Sequence, residues 1–168
     1  MTDTRPITKK VFTNPWYFIA YGFGSGLMPR APGTAGSLLG LLLFIPALAL
    51  PIVVQIAIIV LAFALGVFVS GKVAKLLAIK DPSGIVWDEF VGMWITMLWL
   101  PHQWYWLLIA FALFRLFDIW KPWPVSVADR EVAGGLGIML DDVVAAVYAL
   151  GTLQLAYYLQ WYLLARFS

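Results

Sequence analysis

The chain has 168 residues, 62% of them hydrophobic and only 12% charged, with nine Trp and a mean hydropathy of +0.88, a balance that belongs to integral membrane proteins and not to soluble domains. It contains no cysteine, which excludes disulfides, thiolate metal sites and a cysteine nucleophile. The formal net charge of +2 is too small and too dispersed to suggest a nucleic-acid partner.

In chain order, Arg5, Lys9 and Lys10 precede a glycine-broken segment with no small-residue cleavage site, a poor match to a signal peptide. Over residues 13–27, Trp16, Tyr17, Phe18 and Tyr21 suit an interfacial helix, whereas Gly22, Gly24 and Gly26 suit a bent or re-entrant element. Apolar stretches follow over residues 36–50, 52–70, 90–100, 104–117 and 143–164. Several fall short of the roughly 20 residues a straight span needs. Helices that run on into the polar flanks make up the difference and carry Asp88, Glu89, Arg115, Asp118, Asp141 and Asp142 to helix ends. The expectation is an all-α, polytopic membrane bundle, a single domain over residues 1–168. It has about five spans, or four plus a re-entrant element, behind an interfacial N-terminal segment.

The turns at Leu50-Pro51 and Pro101-His-Gln-Trp104 carry almost no charge, while the N-terminus and the loops 71–89 and 115–142 hold nearly every Lys and Arg. The positive-inside rule makes those three segments cytoplasmic. Eight of the nine acids lie between positions 81 and 142. Carboxylates near hydrocarbon are costly unless paired, hydrated or bound to a cation, so the cluster points to a hard divalent metal at one face of the membrane.

Three motifs carry the candidate chemistry. In Gly22 to Ser37, glycines and hydroxyls surround a single charge, Arg30, and a helix starting near Thr34 to Ser37 would aim its positive end at an anion. Alternatively, Gly33, Gly36 and Gly40 only allow close helix packing. In the second motif Asp88 and Glu89 adjoin an apolar helix; about 100° apart, they edge one site without sharing a stripe, and they equally suit a helix N-terminus. In the third, Arg115 and Asp118 form an i,i+3 pair, Pro122 and Pro124 end that helix, and Asp141 and Asp142 open the last span amid Lys121, Arg130 and three glycines. Capping explains one of those aspartates. Carboxylates for a cation, with guanidinium and ammonium groups for an anion, fit a metal-phosphate site. With no cysteine, with His102 on the opposite face and with no Asp-x-Asp-x-Thr segment, metal-assisted hydrolysis remains, by water or by an aspartate.

The strings Gly22-Phe-Gly-Ser-Gly, Ala31-Pro-Gly-Thr-Ala-Gly-Ser37, Ile85-Val-Trp-Asp-Glu-Phe-Val-Gly-Met-Trp-Ile-Thr96, Phe114-Arg-Leu-Phe-Asp-Ile-Trp-Lys-Pro-Trp-Pro124 and Gly134-Gly-Leu-Gly-Ile-Met-Leu-Asp-Asp-Val143 together resemble the successive motifs of the phosphatidylglycerophosphatase A family. The resemblance implies a Mg²⁺-dependent enzyme of the bacterial inner membrane that converts phosphatidylglycerophosphate to phosphatidylglycerol, the precursor of cardiolipin. It implies Asp88, Glu89, Asp118, Asp141 and Asp142 as metal ligands or general base. Arg115, Lys121 and Arg130 are implied as phosphate contacts; Arg30, Thr34 and Ser37 are further phosphate-contact candidates from the anion-binding reading of the glycine-rich loop. Asp81, Asp129 and Glu131 are expected in loop or supporting positions. Two other readings compete: a CDP-alcohol phosphotransferase, whose Asp-Gly-x-x-Ala-Arg run is missing here, and a divalent-cation carrier, which needs polar residues at both faces.

Overall fold

The structure is a computed structural model and describes residues 6–101, 103–123 and 134–167, the side chain of residue 167 excepted. Every regular element is helical, as the expectation of an all-α bundle requires. Two short helices open the chain, α1 (Ile7–Thr13) and α2 (Pro15–Ala20). The break between them is local chemistry: the Asn14 side chain accepts a 3.0 Å bond from the Trp16 amide, and Pro15 takes the first helical position, where its missing N–H costs nothing. A 3₁₀ segment, Gly22–Leu27, follows and kinks at Phe23 and Gly24, whose φ angles are 58° and 103°. Residues 13–27 are thus helix, kink and 3₁₀ turn, folded back against the bundle. Gly26 fits because a Cβ there would strike the Gly84 carbonyl.

The bundle proper contains α3 (Pro32–Phe44), continued by a 3₁₀ turn Ile45–Ala49, α4 (Ile52–Leu77), α5 (Trp87–Thr96), α6 (Tyr105–Trp120) and α7 (Gly134–Phe167). Proline starts α3, and residues in the left-handed region stop α4 at Ala78 and α6 at Lys121. Three stretches are long and apolar enough to cross a membrane, Pro32–Ala49, Ile52–Leu77 and Gly134–Arg166. At ten and sixteen residues, α5 and α6 are shorter than a straight span requires.

The shortest of these five helices is the central one. Trp87, Glu89, Phe90, Val91, Gly92, Met93, Trp94 and Thr96 of α5 are all buried, and α3, α4, α6 and α7 pack around it. Close approach is bought by glycine: Gly36 presses on Val86, Gly40 on Phe90 and Gly66 on Met139 and Trp87. For Gly36 and Gly40, the packing explanation of the glycine-rich motif is the correct one. Both buried indoles of α5 are satisfied, Trp94 donating to the Gly40 carbonyl (2.8 Å) and Trp87 to that of Ala62 (2.9 Å), as an apolar interior demands. Outward-facing Val53, Val60, Leu61 and Phe68 on α4 are exposed, the reverse of a soluble helix and natural for one facing lipid.

Candidate active site

The polar residues converge on one end of the bundle. They occupy the first turns of α3 and α5, the turns of α7 that follow Gly134, the last turns of α6 and the loop after α4. Glu89 sits at the centre of the first group of contacts and is 8% exposed. Arg115 Nη1 donates to both of its oxygens, at 2.7 and 2.6 Å, and lies 2.7 Å from Asp118 Oδ2. The i,i+3 pair expected on α6 therefore exists, and the same guanidinium also bridges to α5. Ser37, fully buried, places its hydroxyl 2.6 Å from Glu89 Oε2 and 2.9 Å from the Gly33 carbonyl. Asp142, 3% exposed, completes the group: Glu89, Asp118 and Asp142 each offer an oxygen within 4.8 Å of the others.

The neighbouring doublet members face a second group. Asp88, Asp141, Lys80 and Asp81 line one small recess with Gly134 and Gly137, and Lys121 Nζ pairs with Asp141 Oδ2 at 2.8 Å. Asp88 Oδ1 accepts from the Glu89 amide and Asp141 Oδ1 from the Asp142 amide, both at 3.0 Å. Adjacent helical positions diverge by about 100°, so each doublet sends one acid to each group.

Not every expected residue joins. Arg30 is exposed on the bend before α3 and makes no ion pair among the described residues. Thr34 is half-buried in the first turn of α3. Ser37 does join the group, through the contacts of its hydroxyl with Glu89 and the Gly33 carbonyl. Arg130, Asp129, Glu131 and His102 lie outside the described residues.

Two participants were poorly signalled by the sequence. Gly33 belongs to the site as well as to the helix packing, since a Cβ there would collide with Glu89 Oε1; its signal is the i,i+4 spacing to Ser37 on one helical face. Asp81 reads as a solvated loop acid and has no local pattern that marks it. Gly33→Ala is expected to displace the Glu89 carboxylate and lower turnover by roughly 10²-fold with little change in thermal stability, as measured by phosphate release alongside a melting curve.

Six carboxylates, Asp81, Asp88, Glu89, Asp118, Asp141 and Asp142, gather there with three cations, Lys80, Arg115 and Lys121. Asp142 Oδ2 is buried without a hydrogen-bond partner, a costly state that a cation would relieve. Oxygen donors only, an excess of negative charge and one orphaned carboxylate oxygen fit a hard divalent cation such as Mg²⁺.

An apolar helical bundle whose one end concentrates carboxylates and fixed cations can hold a cation and an anion side by side. A family model described as phosphatidylglycerophosphatase A matches residues 18–157. A protein named phosphatidylglycerophosphatase A from Escherichia coli (strain K12) is 45% identical over 142 residues, 84% of this chain and 83% of its own. One of the same name from Haemophilus influenzae is 46% identical over 152 residues, covering 89% and 93%. A Bacteroides thetaiotaomicron protein provisionally named a phosphatidylinositol-3-phosphatase is 44% identical over 140 residues, covering 78% and 86%. No solved structure matches. The chain belongs to the phosphatidylglycerophosphatase A family, which sets aside the transferase and carrier readings.

Proposed function

We propose that the whole chain acts as one Mg²⁺-dependent phosphatase unit that hydrolyses phosphatidylglycerophosphate to phosphatidylglycerol and inorganic phosphate. The observation that carries the metal-site reading is the Glu89, Asp118 and Asp142 triad with the unpartnered Asp142 Oδ2. The family relationship supports the substrate. In this reading the enzyme lies in the bacterial inner membrane with its polar end at the cytoplasmic boundary, which agrees with the charge asymmetry of the loops.

The lipid keeps its acyl chains against apolar helices while its terminal phosphate meets the polar end. Lys121 and Arg115 hold phosphate oxygens, with Arg130, Arg30 and Thr34 as further contacts. Ser37 and Gly33 hold Glu89 in place, and Glu89 in turn orients the guanidinium. Asp88, Glu89, Asp118, Asp141 and Asp142 are the carboxylates available to hold Mg²⁺. When bound there, the metal supplies charge neutralisation and orientation or activation of water. One carboxylate of this set that does not hold the metal would accept the proton of the attacking water. The new bond joins water oxygen to phosphorus, the phosphorus–glycerol oxygen bond breaks, and that oxygen takes up the proton the carboxylate accepted and leaves as the alcohol.

Phosphate release by purified protein on defined lipids tests this reading. Complete chelation is expected to abolish release from phosphatidylglycerophosphate, and added Mg²⁺ to restore it. Activity that survives chelation would remove the metal from the mechanism. Faster release from phosphatidylinositol 3-phosphate would replace the proposed substrate.

A further inference from the structure

The string Gly22-Phe-Gly-Ser-Gly contributes no residue to either group of carboxylates, yet its backbone is costly. Three consecutive residues, Gly22, Phe23 and Gly24, hold positive φ angles of 51°, 58° and 103°. Glycine enters this region freely, whereas phenylalanine does so only under strain, and strain of that kind clusters where a function requires it. What the contortion secures is the direction of the Phe23 ring. It stands edge-on to Trp87 and Phe90, with centroids 5.8 and 6.0 Å away and interplanar angles of 86° and 60°, a favourable arrangement for aromatic pairs.

Trp87 and Phe90 bracket Asp88 and Glu89 in the first turn of α5. Val86, just before that helix, supplies no side-chain cap, so the start of α5 is held from outside, and the N-terminal segment does much of the holding. The Val86 amide donates to the Ala20 carbonyl at 2.9 Å. Gly22 lies so near Val86 and Phe90 that a Cβ would press on both, and Gly26 abuts the Gly84 carbonyl in the loop leading to α5. The Phe23 ring is backed in turn by Phe18 at 5.4 Å, and Phe18 by Phe12 at 6.3 Å. An aromatic row therefore runs from α1 and α2 to the two residues that flank the catalytic doublet.

We propose that Phe23 is a positioning residue for phosphate release: its ring, pressed on Trp87 and Phe90 by a strained backbone, fixes the rotation of the first turn of α5 and with it the places of Asp88 and Glu89. The inference rests on the carboxylate site proposed above and adds to it a residue that touches neither substrate nor metal. Rotation matters because the two acids serve different groups. With side chains reaching roughly 5–6 Å from the helix axis, a turn of about 10° carries a carboxylate about 1 Å sideways, and a misplacement of that size costs on the order of 10²-fold in rate. A phenylalanine that merely filled the core would be buried and relaxed. Phe23 is 41% exposed and strained.

Amide hydrogen exchange on the purified, substrate-free protein, run beside kinetics on phosphatidylglycerophosphate and a melting curve, tests the assignment. Phe23→Ala is expected to speed exchange in the first turn of α5 and to lower kcat by roughly 10–10²-fold with KM nearly unchanged. Phe23→Tyr keeps the ring and should match the wild type in both. Phe23→Gly loses the ring but relieves the backbone, so it should melt no lower than Phe23→Ala and still be as slow; stability and turnover then part company, which a filler role would not produce. Wild-type kcat in Phe23→Ala, exchange that rises throughout the bundle and not in the first turn of α5, or turnover restored in Phe23→Gly overturns the assignment. A wild type inactive on this lipid would count against the proposed substrate, and the exchange measurements, which need no substrate, would still decide the role of Phe23.

Discussion

Phosphate release is expected to fall by at least roughly 10²–10³-fold when Asp142 is replaced by asparagine, and comparably for Asp118→Asn and Asp88→Asn. Asparagine keeps the volume and one acceptor oxygen of each side chain, so the bundle should assemble normally. What it removes is negative charge. Asp142 and Asp118 contribute oxygens to the three-carboxylate triad, and Asp88 faces the recess it shares with Asp141 and Asp81. If all three act on Mg²⁺, raising Mg²⁺ should partly rescue the variant whose ligand is least essential, and the apparent Mg²⁺ affinity should drop in each. Full activity in all three folded variants would sink the carboxylate site.

The second large effect concerns Arg115. Its side chain is 14% exposed and its Nη1 neutralises Glu89 and Asp118, whose side chains are 10% and 13% exposed. Truncation to alanine strands two nearly buried carboxylates side by side, a loss on the order of 3–5 kcal/mol for a broken buried pair. Arg115→Ala should therefore melt well below the wild type in detergent and be inactive. Lysine restores one charge but not the planar guanidinium whose Nη1 lies between Glu89 and Asp118, so Arg115→Lys should recover stability more than turnover. The double variant Arg115→Ala with Glu89→Gln separates the two roles: it should regain part of the lost stability and none of the activity. Recovery of turnover in that double variant would show that the guanidinium serves assembly alone.

The helical class and the one-ended placement of the charges were legible because they rest on hydropathy and loop composition, which act along the chain. The adjacent-acid pairs were legible too. Asp88-Glu89 and Asp141-Asp142 exceed what capping needs, but the 100° divergence of Asp88 and Glu89 suggested two residues edging one site, whereas each pair splits between two groups. Other assignments depend on tertiary direction, which sequence does not carry. Arg30 and Ser37 sit in the same glycine-rich motif with the same claim to bind an anion, yet one lies exposed and the other supports Glu89. Gly33, Gly36 and Gly40 follow one another at i,i+3 and i,i+4, but one faces a carboxylate and two face Val86 and Phe90. The ten residues of α5 read as an incomplete span; enclosed by four longer neighbours, this helix needs little lipid contact of its own.

The length of α7 adds a final constraint. Its last turns, with Tyr158, Trp161 and Tyr162, are exposed, and amphipathic rings of this kind favour the boundary between hydrocarbon and headgroups. From Trp161 back to Asp142 is nineteen positions of one continuous helix, about 28 Å at 1.5 Å per residue, against a hydrocarbon layer of about 30 Å. With the aromatic turns resting in one boundary, the acids arrive at the other. The helix works as a ruler that sets how deep the carboxylates sit, so shortening it by one turn between Asp142 and Trp161 would draw them under the surface.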